Sequence, residues 1–159
     1  MINKTEIGFY RPFVVGNDED KNIHNVLNEV SAQNNTILFN SKNTMLNTDV
    51  QNYAILHCNQ SKYFYGILFG FDIDSISIMN TFPGPNKKVF IASDIYWQDK
   101  TIPSKVWKSL LVDDTEIITF SEKVYELYSI CFKKPLYNMK NGFNGEELNY
   151  VIQNLLIAK

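Results

Sequence analysis

Cysteine is scarce in this 159-residue chain, which carries only Cys58 and Cys131. Two thiols set in apolar runs cannot frame a disulfide-stapled fold, and unoxidised cysteine in such a setting behaves as a small core hydrophobe. Both are therefore expected to be reduced core residues of a cytoplasmic protein. Positive charge is not in excess either. Fifteen Lys and Arg against 17 Asp and Glu leave a formal net charge of −2, which argues against a task of coating nucleic acid or anionic lipid. No direct nucleic-acid or membrane partner is expected. No run approaches the length of about 18 apolar residues that a membrane span needs. The opening MINKTEIGFY lacks the apolar core and small-residue cleavage site of a secretory signal. Composition near the globular average excludes disorder as the overall state. A chain of this length fits one domain over residues 1–159, without repeat or linker.

Short chemical motifs are also missing. With His24 and His57 the only histidines, and no HExxH, CxxC or calcium-loop spacing, the chain holds no preassembled metal set. His57 and Cys58 are adjacent, as a thiol and its base would be, but neighbouring residues of a strand point to opposite faces. Asp72 and Asp74 share a strand parity, yet two acids beside a turn are too few for a cation site. There is no Walker loop and no GxSxG elbow. Gly66 and Gly70 form a GxxxG spacing, which carries weight in a membrane helix and little in a soluble strand. No catalytic residue, metal or cofactor is expected.

What is present is strong local patterning. Ile7, Phe9, Phe13, Val14 and Val15 suggest a strand, placed at an edge by Pro12. Ile23, Val26, Leu27 and Val30 recur with helical spacing behind the acidic run Asp18–Glu19–Asp20, which suits a helix N-terminus. Another strand follows from Thr36 to Asn40, and the Asn-rich residues 41–52 read as a surface loop. Tyr53–Cys58, Tyr63–Phe71, Ser75–Met79 and Lys88–Ile95 are rich in aromatic and β-branched residues and predict strands, the second apolar on both faces and so central. Their short separators favour hairpins, Pro83–Gly84 supplying a type II turn. Helices are predicted after Pro103 (Val106, Trp107, Leu110, Leu111), after Thr119 with Glu122 (Phe120, Val124, Leu127, Tyr128, Cys131) and after Asn144 with Glu147 (Leu148, Val151, Ile152, Leu155, Leu156). The expected fold is α+β: an antiparallel meander of five to six strands on three to four helices.

Contact material stands where motifs are absent. Tyr96 and Trp97 are consecutive, so both cannot face one core, and Asp94 and Asp99 flank them. Aromatics rimmed by charge are frequent interface anchors. Trp107, in register with Val106, Leu110 and Leu111, reads as core. With Asp72, Asp74, Asp113 and Asp114 the acids form a surface able to steer a basic partner. The predicted partner-binding residues are Asp72, Asp74, Asp94, Tyr96, Trp97 and Asp99.

The order of a short N-terminal helix, an aromatic-rich β meander (YFYGILFGFDIDSISIMN, KKVFIASDIYW) and closing amphipathic helices (SEKVYELYSICF, NGEELNYVIQNLL) resembles small bacterial immunity proteins of contact-dependent growth inhibition and other polymorphic toxin systems. The similarity is one of layout over most of the chain. It implies a cytoplasmic, non-enzymatic protein that binds a cognate toxin domain, a nuclease for instance, and blocks its active site or substrate surface. Two other readings fit the residues: a small enzyme with a composite site, and a ligand-binding or adaptor domain with a cavity between sheet and helices.

Overall fold

The computed structural model describes residues 5–12, 18–41, 51–83, 87–95, 104–111 and 115–157. Its frame is one seven-stranded sheet: β1 (Glu6–Tyr10), β2 (Asn35–Asn40), β3 (Ala54–His57), β4 (Ile67–Gly70), β5 (Lys87–Ala92), β6 (Thr115–Thr119) and β7 (Tyr137–Asn138). The order across the sheet is β3-β2-β1-β4-β5-β6-β7, and every pairing is parallel. This is an α/β fold, and it overturns the expected antiparallel meander. Interleaved are α1 (Asp18–Ser31), a 3-10 helix (Cys58–Tyr63), α2 (Ile73–Met79), α3 (Ser104–Leu111), α4 (Glu122–Cys131) and α5 (Gly145–Ile157).

Two misread segments account for the error. Ser75–Met79 alternates in polarity over too few residues to distinguish strand from helix. Ile73, Ile76 and Met79 are the apolar residues it buries, at helical spacing, and Asp72 caps the helix by accepting the Ser75 amide at 2.6 Å. The apparent hairpin turn at Asn59–Lys62 is likewise the 3-10 helix, capped by His57, whose ring accepts the Asn59 amide. With Ser75–Met79 a helix rather than a strand, residues 71–86 are long enough for the helical crossover that the parallel neighbours β4 and β5 require.

A parallel sheet is covered on both faces, so its strands are apolar on both parities. Ile7 and Phe9, Ile67 and Phe69, Val89 and Ile91 meet α1 and α5 on one side. Tyr10, Leu68, Phe90 and Ile117 meet the 3-10 helix and α2–α4 on the other. Tyr63–Phe71 was rightly read as central, although its strand is only Ile67–Gly70. β1 is not an edge strand: it lies between β2 and β4 and ends at Tyr10, before Pro12. Gly70 sits where α2 crosses closely, since a Cβ there would lie 2.7 Å from the Met79 sulfur.

Polar ties fix α5 to the rest. Glu29 of α1 accepts the Gly145 amide at 2.9 Å, and Lys87 Nζ donates to the Leu155 carbonyl at 2.9 Å, satisfying a C-terminal orphan acceptor of α5. Asn144 Oδ1 accepts the Glu147 amide, capping α5 where the sequence placed its start, and Asn144 Nδ2 donates to the Glu147 carboxylate. The parallel cap expected of Thr119 is absent, because Thr119 ends β6 and Ser121 stands at the cap of α4 without a side-chain bond.

Candidate functional site

Parallel strands all point the same way, so one rim of the sheet collects every carboxyl end. The chain leaves β1 toward β2 and β3, then returns to start β4 on the other side of β1 and continues outward to β7. In open α/β sheets this reversal opens a crevice outside the carboxyl ends, where ligands bind.

A cavity of about 200 Å³ opens at this rim, on the face that α1 and α5 cover. Phe71 follows β4, Ile91 lies just before Ala92 at the end of β5, Ser93 follows that strand, and Phe120 follows β6; all four line it. Glu19, Asn22 and Ile23 of α1 close one side, Gly142 and Phe143 another. The rings form a connected set: Phe71 and Phe143 meet edge to face at 5.6 Å, and Phe120 lies 6.2 Å from Phe143. Beneath them Phe9 stacks on Phe71 at 6.0 Å.

The segment holding Phe143 is fixed by hydrogen bonds. Glu147 accepts the backbone amides of Lys140 and Asn141, each at 3.0 Å, and Asn22 Nδ2 donates to the Phe143 carbonyl at 3.3 Å. Burial alone would raise the Glu147 pKa, but these amides together with Asn144 and Tyr137 bring it below the ordinary glutamate value. The Tyr137 hydroxyl moves the opposite way, raised by burial and by the neighbouring Glu147.

At the mouth stands an ion pair. Arg11 Nε donates to Asp20 Oδ1 at 2.8 Å, and Asp20 is 1% exposed. The same guanidinium reaches Glu19 only at 3.4–3.5 Å, with the Glu19 side chain 60% exposed, and lies 5.6 Å from the centre of the Phe71 ring.

Neither histidine and neither cysteine lines the cavity. Cys58 faces the opposite side of the sheet, in the cluster with Tyr10, and burial raises its thiol pKa, the reverse of what a nucleophile needs. Tyr10 beside it is pushed up to about 12, first by burial and then by the Cys58 thiol. His57 and Cys58 are not successive strand residues, since Cys58 begins the 3-10 helix. Buried His24 on α1 is engaged at both nitrogens. Asn28 Oδ1 accepts the Asn52 amide, which turns its Nδ2 toward His24 Nε2 at 3.0 Å and leaves Nδ1 to donate to the Tyr53 hydroxyl at 2.7 Å. Burial pushes Tyr53 up to about 12. Cys131, expected in the core, is exposed.

The predicted partner-binding residues separate. Asp72 caps α2, Asp74 is exposed on the first turn of that helix, and exposed Asp94 follows β5 with its carboxylate accepting the Ile95 amide at 2.7 Å. Asp72 and Asp94 thus share the carboxyl rim, but neither lines the cavity. Tyr96, Trp97 and Asp99 lie outside the described residues, as do Asp113 and Asp114. Trp107, read as core, is partly buried and stacks on Phe132 at 4.6 Å. Sequence reasoning missed Phe71, Phe120 and Phe143 as a group, because only a parallel sheet brings residues that follow separate strands to one rim. Among the described residues no three His, Cys, Asp or Glu gather to hold a metal ion, and no helix is long and apolar enough to cross a membrane. Comparison with models of known protein families, with curated proteins and with solved structures returned no match.

Proposed function

We propose that this chain is a binding module that holds a small organic molecule at the carboxyl rim of its parallel sheet. The observation that carries the reading is the cavity walled by Phe71, Phe120 and Phe143, with Glu19, Asn22 and Ser93 as its polar groups. An apolar pocket with a few converging polar groups is the usual form of a small-molecule site, and this one lies at the carboxyl rim, beyond the ends of β4, β5 and β6. At about 200 Å³ it is smaller than the sites of about 300 Å³ and more that take drug-sized ligands. The occupant is accordingly of single-ring size.

A phosphate-bearing nucleotide is the frequent ligand of this architecture, and the residues here do not suit one. Phosphate seats on a glycine-rich turn and a bare helix N-terminus. α1 begins instead with Asp18, Glu19 and Asp20, which repel it. Toxin neutralisation, suggested by a meander layout, loses that support in a parallel sheet. Holding is favoured over transformation because Cys58 sits across the sheet with a raised pKa and His24 is engaged at both ring nitrogens.

Amide chemical-shift mapping against a panel of single-ring neutral, cationic and anionic molecules tests this. At least one member is expected to shift Phe71, Ser93, Phe120 and Phe143 saturably, and Phe143→Ala is expected to abolish the response. Saturable shifts confined to other surfaces, or none with any member, would overturn the proposal.

A further inference from the structure

Resting on that reading, the charges around the cavity decide the sign of its occupant: we infer that it is a small organic cation, seated between the Glu19 carboxylate and the aromatic walls. Pairing off the charged side chains leads there. Lys21 Nζ lies 3.0 Å from Asp18, and Arg11 Nε lies 2.8 Å from Asp20, so each of these couples is neutral. Among the described residues Glu19 is then the one carboxylate of the first turn of α1 without a cation of its own; it shares the Arg11 guanidinium at 3.4 Å and beyond. Among the described residues it is also the only charged one that lines the cavity. The group therefore carries one uncompensated negative charge at the mouth.

The walls select for the same sign. Phenyl rings attract cations to their faces and offer nothing to an anion there, and this attraction grows as water is excluded. Arg11, 5.6 Å from the Phe71 ring, already uses one of these rings in that way. An anion, by contrast, would have to displace Glu19 from Arg11 and then lie against three rings. Ammonium groups bearing methyl or ring substituents combine the apolar body that Phe120, Phe143, Ile23 and Ile91 accommodate with the charge that Glu19 requires. A bare metal cation lacks that apolar body and would find one carboxylate where it needs several oxygens.

Three probes separate the outcomes in calorimetric titrations of the full chain: choline, its uncharged isostere with a tert-butyl group in place of trimethylammonium, and benzoate. Choline is expected to bind about tenfold more tightly than the isostere, the scale of a partly desolvated cation–π contact with one carboxylate. Glu19→Gln, at an exposed position, is expected to remove most of that preference by weakening choline far more than the isostere. Phe143→Leu, which keeps an apolar wall without a ring, is expected to weaken choline more than the isostere. Equal binding of choline and isostere, or tighter binding of benzoate, would overturn the cation while leaving the cavity as a ligand site. Absence of binding by all three, together with a silent shift-mapping panel, would remove both.

Discussion

Glu19 and Asp20 are neighbours that reach the same guanidinium under different conditions. Asp20 is almost wholly buried and bonds Arg11 Nε at 2.8 Å, whereas Glu19 is mostly in water at 3.4 Å. Removing one member of a buried pair strands the other charge at a cost of about 3 kcal/mol, while an exposed pair is worth less than about 1 kcal/mol. Asp20→Ala is therefore expected to destabilise the fold by about 3 kcal/mol and Glu19→Ala by under about 0.5 kcal/mol, read from urea unfolding midpoints at neutral pH. Equal losses would mean that burial does not distinguish the two. The sequence carried a usable sign of this difference. Asp20 stands three residues before Ile23 and seven before Leu27, on the stripe that α1 buries, so it could not be only a solvated dipole partner.

The helices that carry a long apolar stripe, α1 and α5, were legible, and so was the apolar character of β4 and β5. Seven-residue α2 was not, because one turn of SISIM satisfies either period and only the Asp72 cap tips it. β6 and β7 escaped notice, β7 for the plain reason that two residues make no pattern. Beyond β7, the turn bearing Phe143 depends on Glu147 as an anion. Its folded-state pKa lies below its unfolded value, so the bonds to Lys140 and Asn141 contribute above the unfolded pKa and are lost as pH falls through the folded one. Acidification below the ordinary glutamate range is expected to broaden or shift the amide signals of Lys140, Asn141 and Phe143 before those of β1 and β4. Glu147→Gln is expected to show at neutral pH what the native chain shows only in acid. Signals of this turn that stay fixed until global unfolding would contradict the assignment.

At the scale of the molecule, the error of parallel against antiparallel arose from connections rather than strands. Residue patterns report which faces are apolar, and both sheet types can be covered on both sides; direction is set by what lies between strands. The cavity was illegible for the same reason, since its residues are scattered along the chain and converge only through strand order. Exchange protection should follow that order. Amides of β1, β4 and β5, whose residues in the core are nearly all inaccessible, are expected to exchange at the slow, global limit, those of β7 several orders of magnitude faster. Uniform protection across all seven strands would show that the sheet opens as one unit.

β7 joins the sheet through two residues, and the turn carrying Phe143 follows directly from it. One side of the cavity therefore hangs from the least anchored strand, whereas Phe71 and Ile91 belong to its firmest part. Moving that side outward would leave the inner strands paired, but it would first have to break the bonds of Glu147 to Lys140 and Asn141 and of Asn22 to Phe143, so the same few polar ties that shape the wall also keep it shut.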